Sequence, residues 1–348
     1  MKQLSVDQVS DYLRELRKLG QTAPLTDLHV HATEVIFDEQ IYHQSAPGLY
    51  SVEGADYSPP KITNIRLEMP ELKANQETLN RISKLAFSRA YQHVGPKVFE
   101  DQMSICGISQ AVLLPVSRIG LNFERQWQYN QSFTEQSTAL KLGYCIPTSV
   151  PTSSIYQHLK DVIDRFNIVL LKIHPNLSCI DLDGTAGLER VEAMLEACGA
   201  LSIPCLIHGG CSPILHKAPQ SNHAIMPSLA KVDWSLCRTP VIIAHFGAYG
   251  CQPTDIDNKA VKQLNEALDK YENLYTDTSG IPYALLMKAI GQIDPSRIVF
   301  GSDAMYVPMW QGLVSLAHAL HMQKGAFEED ILRFTYHNAQ NILNNKTS

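Results

Sequence analysis

The 348-residue sequence lacks the features that mark several common classes of protein. Its eight cysteines include no CxxC pair and lie mostly in apolar surroundings, which is typical of free thiols in a reducing compartment. Residues 1–20 lack the continuous apolar core of a signal peptide, and no later run is long enough to span a bilayer. We therefore expect a cytoplasmic protein that does not associate with a membrane.

An excess of positive charge is also missing. The chain has 29 basic and 35 acidic residues, a formal net charge of −6, and no long run of either sign. Proteins that bind nucleic acid usually carry a basic patch, so nucleic acid is not an expected partner. A small-molecule substrate is the expected partner instead.

What the sequence does contain is a regular alternation of short apolar runs with longer segments of helical periodicity. Such runs are typical of parallel strands joined by crossover helices, and eight of them suit a closed barrel better than an open sheet. We predict a distorted (β/α)8 TIM barrel that forms a single domain over residues 1–348. The predicted strands are Thr26–His31, Gln110–Val116, Leu142–Ser149, Ile168–His174, Pro204–Gly209, Pro240–Gly247, Asn273–Thr278 and Arg297–Asp303.

A helix is predicted before the first strand, in the N-terminal segment 1–23. Ser5 and Gln8 have the spacing of a capping box, and apolar residues then recur at helical intervals. This pattern predicts a helix over residues 5–19, ended by Gly20.

A long insertion, residues 32–109, separates the first two predicted strands. Its first part is rich in Gly, Pro, Ser and Tyr, and its second part predicts helices over residues 76–91 and 97–106. An insertion of this length after a barrel strand usually covers the active-site face.

Histidine and aspartate side chains stand where several predicted strands end. Alternation along the first strand puts His29 and His31 on one face, and His208, His245 and Asp303 end three later strands. In a parallel barrel all strand C-termini lie at one mouth, so these side chains should converge there. Imidazole and carboxylate are ligands that suit Zn²⁺ and similar metals, whereas each residue alone could equally be a core histidine or a helix cap.

Seven motifs along nearly the whole chain resemble those of one enzyme superfamily. They are DLHVH, LLKIHPN, PCLIHGG, IIAHFGAYG, LYTDTSG, RIVFGSD and YHNAQNIL. The sequence is similar to the metal-dependent amidohydrolase superfamily, and within it to the amidohydrolase-2 branch, which contains decarboxylases related to aminocarboxymuconate semialdehyde decarboxylase.

The resemblance implies a role for each matching residue. His29, His31, His208 and Asp303 would hold one divalent metal ion, with Zn²⁺ favoured and Mn²⁺, Fe²⁺ or Co²⁺ as alternatives. His245 and Asp303 would be the catalytic residues and handle protons beside that ion. An alternative role for His245 is that of a further metal ligand.

Three more residues are predicted to bind substrate. Lys172 and His174 share one face of the fourth strand, and either could contact an anionic part of the substrate. Arg118 follows the second strand, where it could pair with a substrate carboxylate or form a surface ion pair. A structural alternative for Lys172 is an ion pair with Asp27 or Asp303.

These observations leave more than one function open. The first hypothesis is a metal-dependent hydrolase that cleaves an amide, ester or lactone with metal-activated water. The second is a metal-dependent non-oxidative decarboxylase that uses the same residues. A barrel without catalytic activity is a third, disfavoured because all four predicted ligands are present. The resemblance also suggests a homodimer.

Overall fold

A computed structural model describes residues 3–32, 61–68, 95–120, 122–212, 215, 218–250, 259–304 and 306–344. Eight parallel strands in these residues pair in one sheet that curls into a nearly closed barrel, as predicted. The barrel strands are β2 (Leu25–Val30), β4 (Ile108–Leu113), β5 (Leu140–Tyr144), β6 (Ile168–Ile173), β7 (Cys205–Ile207), β8 (Val241–Ile243), β9 (Leu274–Asp277) and β10 (Ile298–Val299). Two short strands, β1 (Gln3–Leu4) and β3 (Ile65–Arg66), pair antiparallel outside the barrel.

Helices connect the strands, as expected for parallel neighbours. They are α1 (Val6–Thr22), α2 (Pro96–Cys106), α3 (Phe123–Gln136), α4 (Ile155–Ile163), α5 (Thr185–Leu201), α6 (Met226–Leu229), α7 (Val261–Lys270), α8 (Tyr283–Ile290), α9 (Met309–Lys324), α10 (Glu328–Leu332) and α11 (Asn338–Leu343). A π-helical turn, Arg333–His337, joins the last two. None of the helices in the described part of the chain has the length and apolar character needed to cross a membrane.

The barrel closes between its first and last strands through a few backbone hydrogen bonds. Strand β10 is only two residues long, but the chain beyond it continues along β2. The N–H of Asp303 donates to the carbonyl of His29 at 2.9 Å, and the N–H of His31 donates to the carbonyl of Ala304 at 2.6 Å. This seam places Asp303 directly beside the two histidines of the first strand.

The interior of the barrel is filled with apolar side chains. One buried cluster takes a side chain from each of seven barrel strands and packs them against the last helix, α11. Its members include Leu28, Val112, Leu170, Leu206, Ile242, Tyr275, Val299, Ala339 and Ile342. Since this layer is filled, polar groups farther along the same strands face the C-terminal mouth.

The predicted N-terminal helix is confirmed, but Gly20 does not end it. The N–H of Gln8 donates to Ser5 Oγ at 3.3 Å, which completes the capping box, and the helix continues to Thr22. A Cβ atom on Gly20 would overlap the carbonyl oxygen of Gly107, the residue that caps α2. Gly20 therefore allows two helices to pack closely instead of stopping one.

The insertion of residues 32–109 is described only in part. The predicted helix over residues 97–106 is confirmed as α2. The predicted helix over residues 76–91 lies outside the described residues, and so does most of the segment expected to cover the mouth.

The close contact between α1 and α2 yields a stability prediction. Gly107 and Gly325 both end a helix in the left-handed region, with φ of 79° and 76°. An alanine costs about 1–2 kcal/mol at either position because of its backbone conformation. A Cβ on Gly107 would also lie 2.8 Å from the Leu16 carbonyl oxygen, whereas one on Gly325 would meet nothing within 4 Å.

We therefore expect Gly107→Ala to lower the free energy of unfolding in urea by more than Gly325→Ala does. Equal losses of unfolding free energy in the two variants would show that the close approach of α1 and α2 adds nothing to the cost of Gly107→Ala.

Candidate metal centre

Side chains from several strands meet just above the filled layer of the barrel. Lys172, His208 and Asp277 each stand two residues beyond an interior side chain of β6, β7 and β9. Alternation along a strand keeps them on the interior face, one layer nearer the mouth. All three are buried.

His29, His31 and Asp303 form one of two groups of potential metal ligands among the described residues, the other being His29, His245 and Asp277. Asp303 Oδ1 lies 3.3 Å from His31 Nε2 and 3.8 Å from His29 Nε2. One ligand atom from each residue lies within 4.8 Å of the other two. These three predicted ligands are therefore brought together.

The partners of the remaining ring nitrogens determine which atoms these histidines present. His31 Nδ1 lies 2.7 Å from the carbonyl of Leu114, which can only accept, so this nitrogen carries the hydrogen. His29 Nδ1 donates to Asp277 Oδ2 at 2.8 Å. Each Nε2 is then the ring atom that offers a lone pair. That of His29 accepts from Lys172 Nζ at 2.7 Å, and that of His31 lies beside Asp303.

This arrangement fits a divalent cation. A divalent ion would offset the repulsion between the His31 lone pair and the Asp303 carboxylate, whereas Lys172 contacts only the His29 nitrogen. Two imidazole nitrogens and a carboxylate oxygen, with outer hydrogen bonds that fix each ring, are the usual donor set of zinc and related metals. His29, His31 and Asp303 would hold such an ion.

His208, the fourth predicted ligand, lies close to His245 but outside that group. His208 Nδ1 is 3.1 Å from His245 Nε2, and His208 Nε2 is 3.4 Å from the carbonyl of Cys211. His174 stacks on the His208 ring with centroids 4.1 Å apart. Its assignment as a metal ligand therefore stays a prediction.

His245 is held in an unusual backbone conformation at the centre of these contacts. Its φ is 60°, in the left-handed region, and its N–H donates to Asp277 Oδ1 at 2.8 Å. His245 Nδ1 donates to the carbonyl of Ser279 at 3.0 Å, so Nε2 is its proton-accepting atom. Burial lowers the pKa of His245, which favours the neutral ring that can take up a proton.

The other ionisable groups divide into neutral rings and an ionised carboxylate. Burial and repulsion from neighbouring cationic groups lower the pKa values of His174 and His208 well below the usual range. Burial opposes ionisation of Asp303, but contact with His31 and the other histidines lowers its pKa overall. An ionised carboxylate in this setting is suited to binding a cation.

The three predicted substrate-binding residues lie in different settings. Lys172 is 1% exposed, and its Nζ donates to His29 Nε2 at 2.7 Å. His174 is 8% exposed, and its Nδ1 accepts the N–H of Leu177 at 3.3 Å, which leaves Nε2 as a donor. Arg118 is partly buried beyond β4, near the thiol of Cys179.

Sequence reasoning missed Asp277 and Ser279 at the end of β9. Asp277 is fully buried and contacts both His29 and His245. Ser279 Oγ lies 2.8 Å from His245 Nδ1 and 3.1 Å from His29 Nδ1. The sequence could have indicated Asp277, because it stands at the end of a predicted strand in the same way as Asp303.

The sequence as a whole was compared with known families and proteins. The model of the amidohydrolase family matches residues 110–344, about two thirds of the 348 residues. The chain belongs to the amidohydrolase family. The match includes His208, His245 and Asp303 but begins after the first strand, so the assignment of His29 and His31 rests on their own geometry. No curated protein matches the chain at a significant level.

Solved structures with the same fold have very different sequences. An uncharacterised TIM-barrel protein from Bordetella bronchiseptica is 13% identical, with a TM-score of 0.56 over 92% of this chain and 98% of its own. An amidohydrolase from Burkholderia multivorans with bound zinc is 10% identical, with a TM-score of 0.55 over 92% and 99%. A 5-carboxyvanillate decarboxylase from Sphingomonas paucimobilis is 10% identical, with a TM-score of 0.54 over 93% and 100%.

The contact between His208 and His245 leads to a paired substitution experiment. We expect His208→Ala to remove most bound metal, because it deletes a predicted ligand. We expect His245→Ala to keep the metal but slow turnover, because it deletes the proton acceptor beside the site. Metal content of the purified variants, measured by elemental analysis, checks both expectations.

Equal metal loss in these two variants would show that His245 is also a ligand. Full metal retention in His208→Ala would restrict the ligand set to His29, His31 and Asp303.

Proposed function

We propose that this amidohydrolase is a metal-dependent decarboxylase that releases CO₂ from a small carboxylate substrate. The observation that carries the proposal is the setting of Lys172. This ammonium group is almost completely buried, and among the described residues no carboxylate oxygen lies within ion-pair distance of its Nζ. A buried cation without an anionic partner is costly, so the site favours an anion that the substrate supplies.

Burial also makes the Lys172 ammonium more acidic than an exposed lysine. It lowers the pKa of Lys172 to about 8, although the carboxylates of Asp303 and Asp277 oppose this effect. An anion beside this group would favour its protonated form. A substrate carboxylate beside it would gain a charge-assisted hydrogen bond.

The metal would have one task in this reaction. When bound by His29, His31 and Asp303, a divalent ion would act as a Lewis acid that polarises an oxygen of the substrate. Zn²⁺ is the first choice for these ligands, with Mn²⁺, Fe²⁺ and Co²⁺ as alternatives.

Decarboxylation requires one bond to break and one proton to arrive. The bond between the carboxylate carbon and its neighbour breaks, its electron pair stays on the neighbouring carbon, and CO₂ leaves. His245 Nε2, which faces the cluster, takes up a proton from solvent and transfers it to that carbon. The sum is a carboxylate plus a proton giving CO₂ and the shortened product.

The dryness of the site supports this choice. His29, His31, Lys172, His208 and Asp303 are each at most 4% exposed. Loss of CO₂ is favoured when a carboxylate is removed from water, because the charge leaves that group as the bond breaks. The shared fold with 5-carboxyvanillate decarboxylase supports the proposal at the level of architecture.

Hydrolysis of an amide, ester or lactone is the second candidate. It is favoured by the ionised Asp303 and the neutral His245, since both are able to accept a proton from water. The shared fold with the zinc-containing amidohydrolase from Burkholderia multivorans supports it in the same limited way.

One assay separates the two candidates. Protein loaded with Zn²⁺ or Mn²⁺ is given hydroxybenzoates and conjugated unsaturated acids, and in parallel lactones and amides of similar size. We expect CO₂ release from an acid and, in D₂O, one deuterium on the carbon that lost the carboxylate. Hydrolytic products without any CO₂ would replace the proposal with the second candidate.

The role of Lys172 is tested by replacing its charge. Lys172→Met keeps the length of the side chain and removes the ammonium group, so we expect KM for the carboxylate to rise at least tenfold. Lys231→Met is the matched control, because Lys231 is exposed and pairs with Asp183 on the surface. An unchanged KM in Lys172→Met would remove the observation on which the proposal depends.

A further inference from the structure

Asp277 receives an unusual number of hydrogen bonds for one buried carboxylate. Its Oδ1 accepts the N–H of His245 at 2.8 Å, the N–H of Ser279 at 3.0 Å and the hydroxyl of Ser279. Its Oδ2 accepts Nδ1–H of His29 at 2.8 Å. The side chain is fully buried, so these four donors are its whole described environment.

These contacts join two residues with different tasks. His29 is a predicted metal ligand, and the bond to Asp277 leaves its Nε2 without a hydrogen. His245 is the predicted proton carrier, and Asp277 holds its N–H while the backbone lies in the left-handed region. Ser279 adds a second link, because its hydroxyl donates to Asp277 and accepts from His245 Nδ1.

We propose that Asp277 is a positioning residue that fixes the tautomer of His29 for metal binding and anchors the backbone of His245 for proton transfer. The proposal rests on the proposed metal-dependent function. Asp277 contacts Nδ1 of His29 and the N–H of His245, not the Nε2 atom of either ring, so it would act through the two histidines.

Only an ionised carboxylate satisfies this environment. Four donors and no acceptor surround the side chain, so all of its hydrogen-bonding atoms must accept. An asparagine would place its NH₂ group either against His29 Nδ1–H or against the N–H groups of His245 and Ser279. In the first orientation His29 must move its hydrogen to Nε2, which blocks the atom that would bind the metal.

The first experiment uses the unaltered protein without metal. Nitrogen-15 NMR of histidine-labelled protein distinguishes the two neutral tautomers, and the His29 signal is identified by its loss in His29→Gln. We expect His29 to carry its hydrogen on Nδ1. A hydrogen on Nε2 of His29 would overturn the proposal, and this result needs no folded Asp277 variant.

The second experiment compares three variants of the β9 segment. We expect Asp277→Asn to bind Zn²⁺ about 10–100-fold more weakly in calorimetry, as is usual when the partner of a ligating histidine is lost. We expect Ser279→Ala to keep its Zn²⁺ affinity, because the bond from His29 to Asp277 remains, and to lose kcat while KM is unchanged.

Thr276→Val is the matched control. It removes a buried hydroxyl from the same strand, one that donates to the carbonyl of Ile243 at 2.7 Å. We expect both Zn²⁺ affinity and kcat to stay near the values of the unaltered protein. Equal Zn²⁺ losses in all three variants would mean that any disturbance of β9 has this effect, and would overturn the proposal.

The metal and NMR readouts do not depend on the reaction. If no substrate releases CO₂ but Asp277→Asn loses Zn²⁺ affinity, the decarboxylase proposal fails and the positioning role of Asp277 stands. If CO₂ is released and Asp277→Asn binds Zn²⁺ normally, the decarboxylase proposal stands and the positioning role of Asp277 fails.

Discussion

Two imidazole nitrogens and a carboxylate oxygen meet within the buried mouth of the barrel, and this arrangement favours a cation among them. His29, His31 and Asp303 reach this position because the barrel closes by backbone hydrogen bonds between its first strand and the chain after its last. Repulsion among unpaired acceptors is strong where water is excluded. The closure of the barrel therefore assembles the group of side chains that would hold the metal.

The backbone is held in an unfavourable conformation at the same place. His245, Phe246 and Asp303 all have φ between 50° and 60°, a region that costs non-glycine residues about 1–3 kcal/mol each. Hydrogen bonds from the two N–H groups, to Asp277 Oδ1 and to the carbonyl of His29, hold His245 and Asp303 there. Two of these three residues are the ones predicted to handle protons, where side-chain direction matters most.

Much of this arrangement could be predicted from the sequence because a parallel barrel brings all strand ends to one mouth. That rule identified His29, His31, His208, His245 and Asp303 as neighbours. The rule could not predict which of these side chains lie closest to one another. In particular, it did not show that His208 contacts His245 directly and stays outside the group around Asp303. Those details depend on ring rotation and tautomers, which are set by contacts between distant parts of the chain.

Helix ends also show that local sequence does not predict contacts with distant residues. The capping box at Ser5 was predicted because all of its atoms belong to one turn. Gly20 was assigned to a helix end on local grounds, whereas its small size serves a contact with Gly107, far away in sequence. Asp277 was missed for a similar reason, since its partner His29 is 248 residues away.

Lys172 connects the metal to the choice of substrate. Its ammonium donates to His29 Nε2, and one lone pair cannot serve this hydrogen and a metal ion together. A metal held by His29 would therefore compete with the Lys172 ammonium for this nitrogen. Under the proposed function, an ammonium freed from this contact would pair with a substrate carboxylate, so binding of the metal and of an anionic substrate would favour each other.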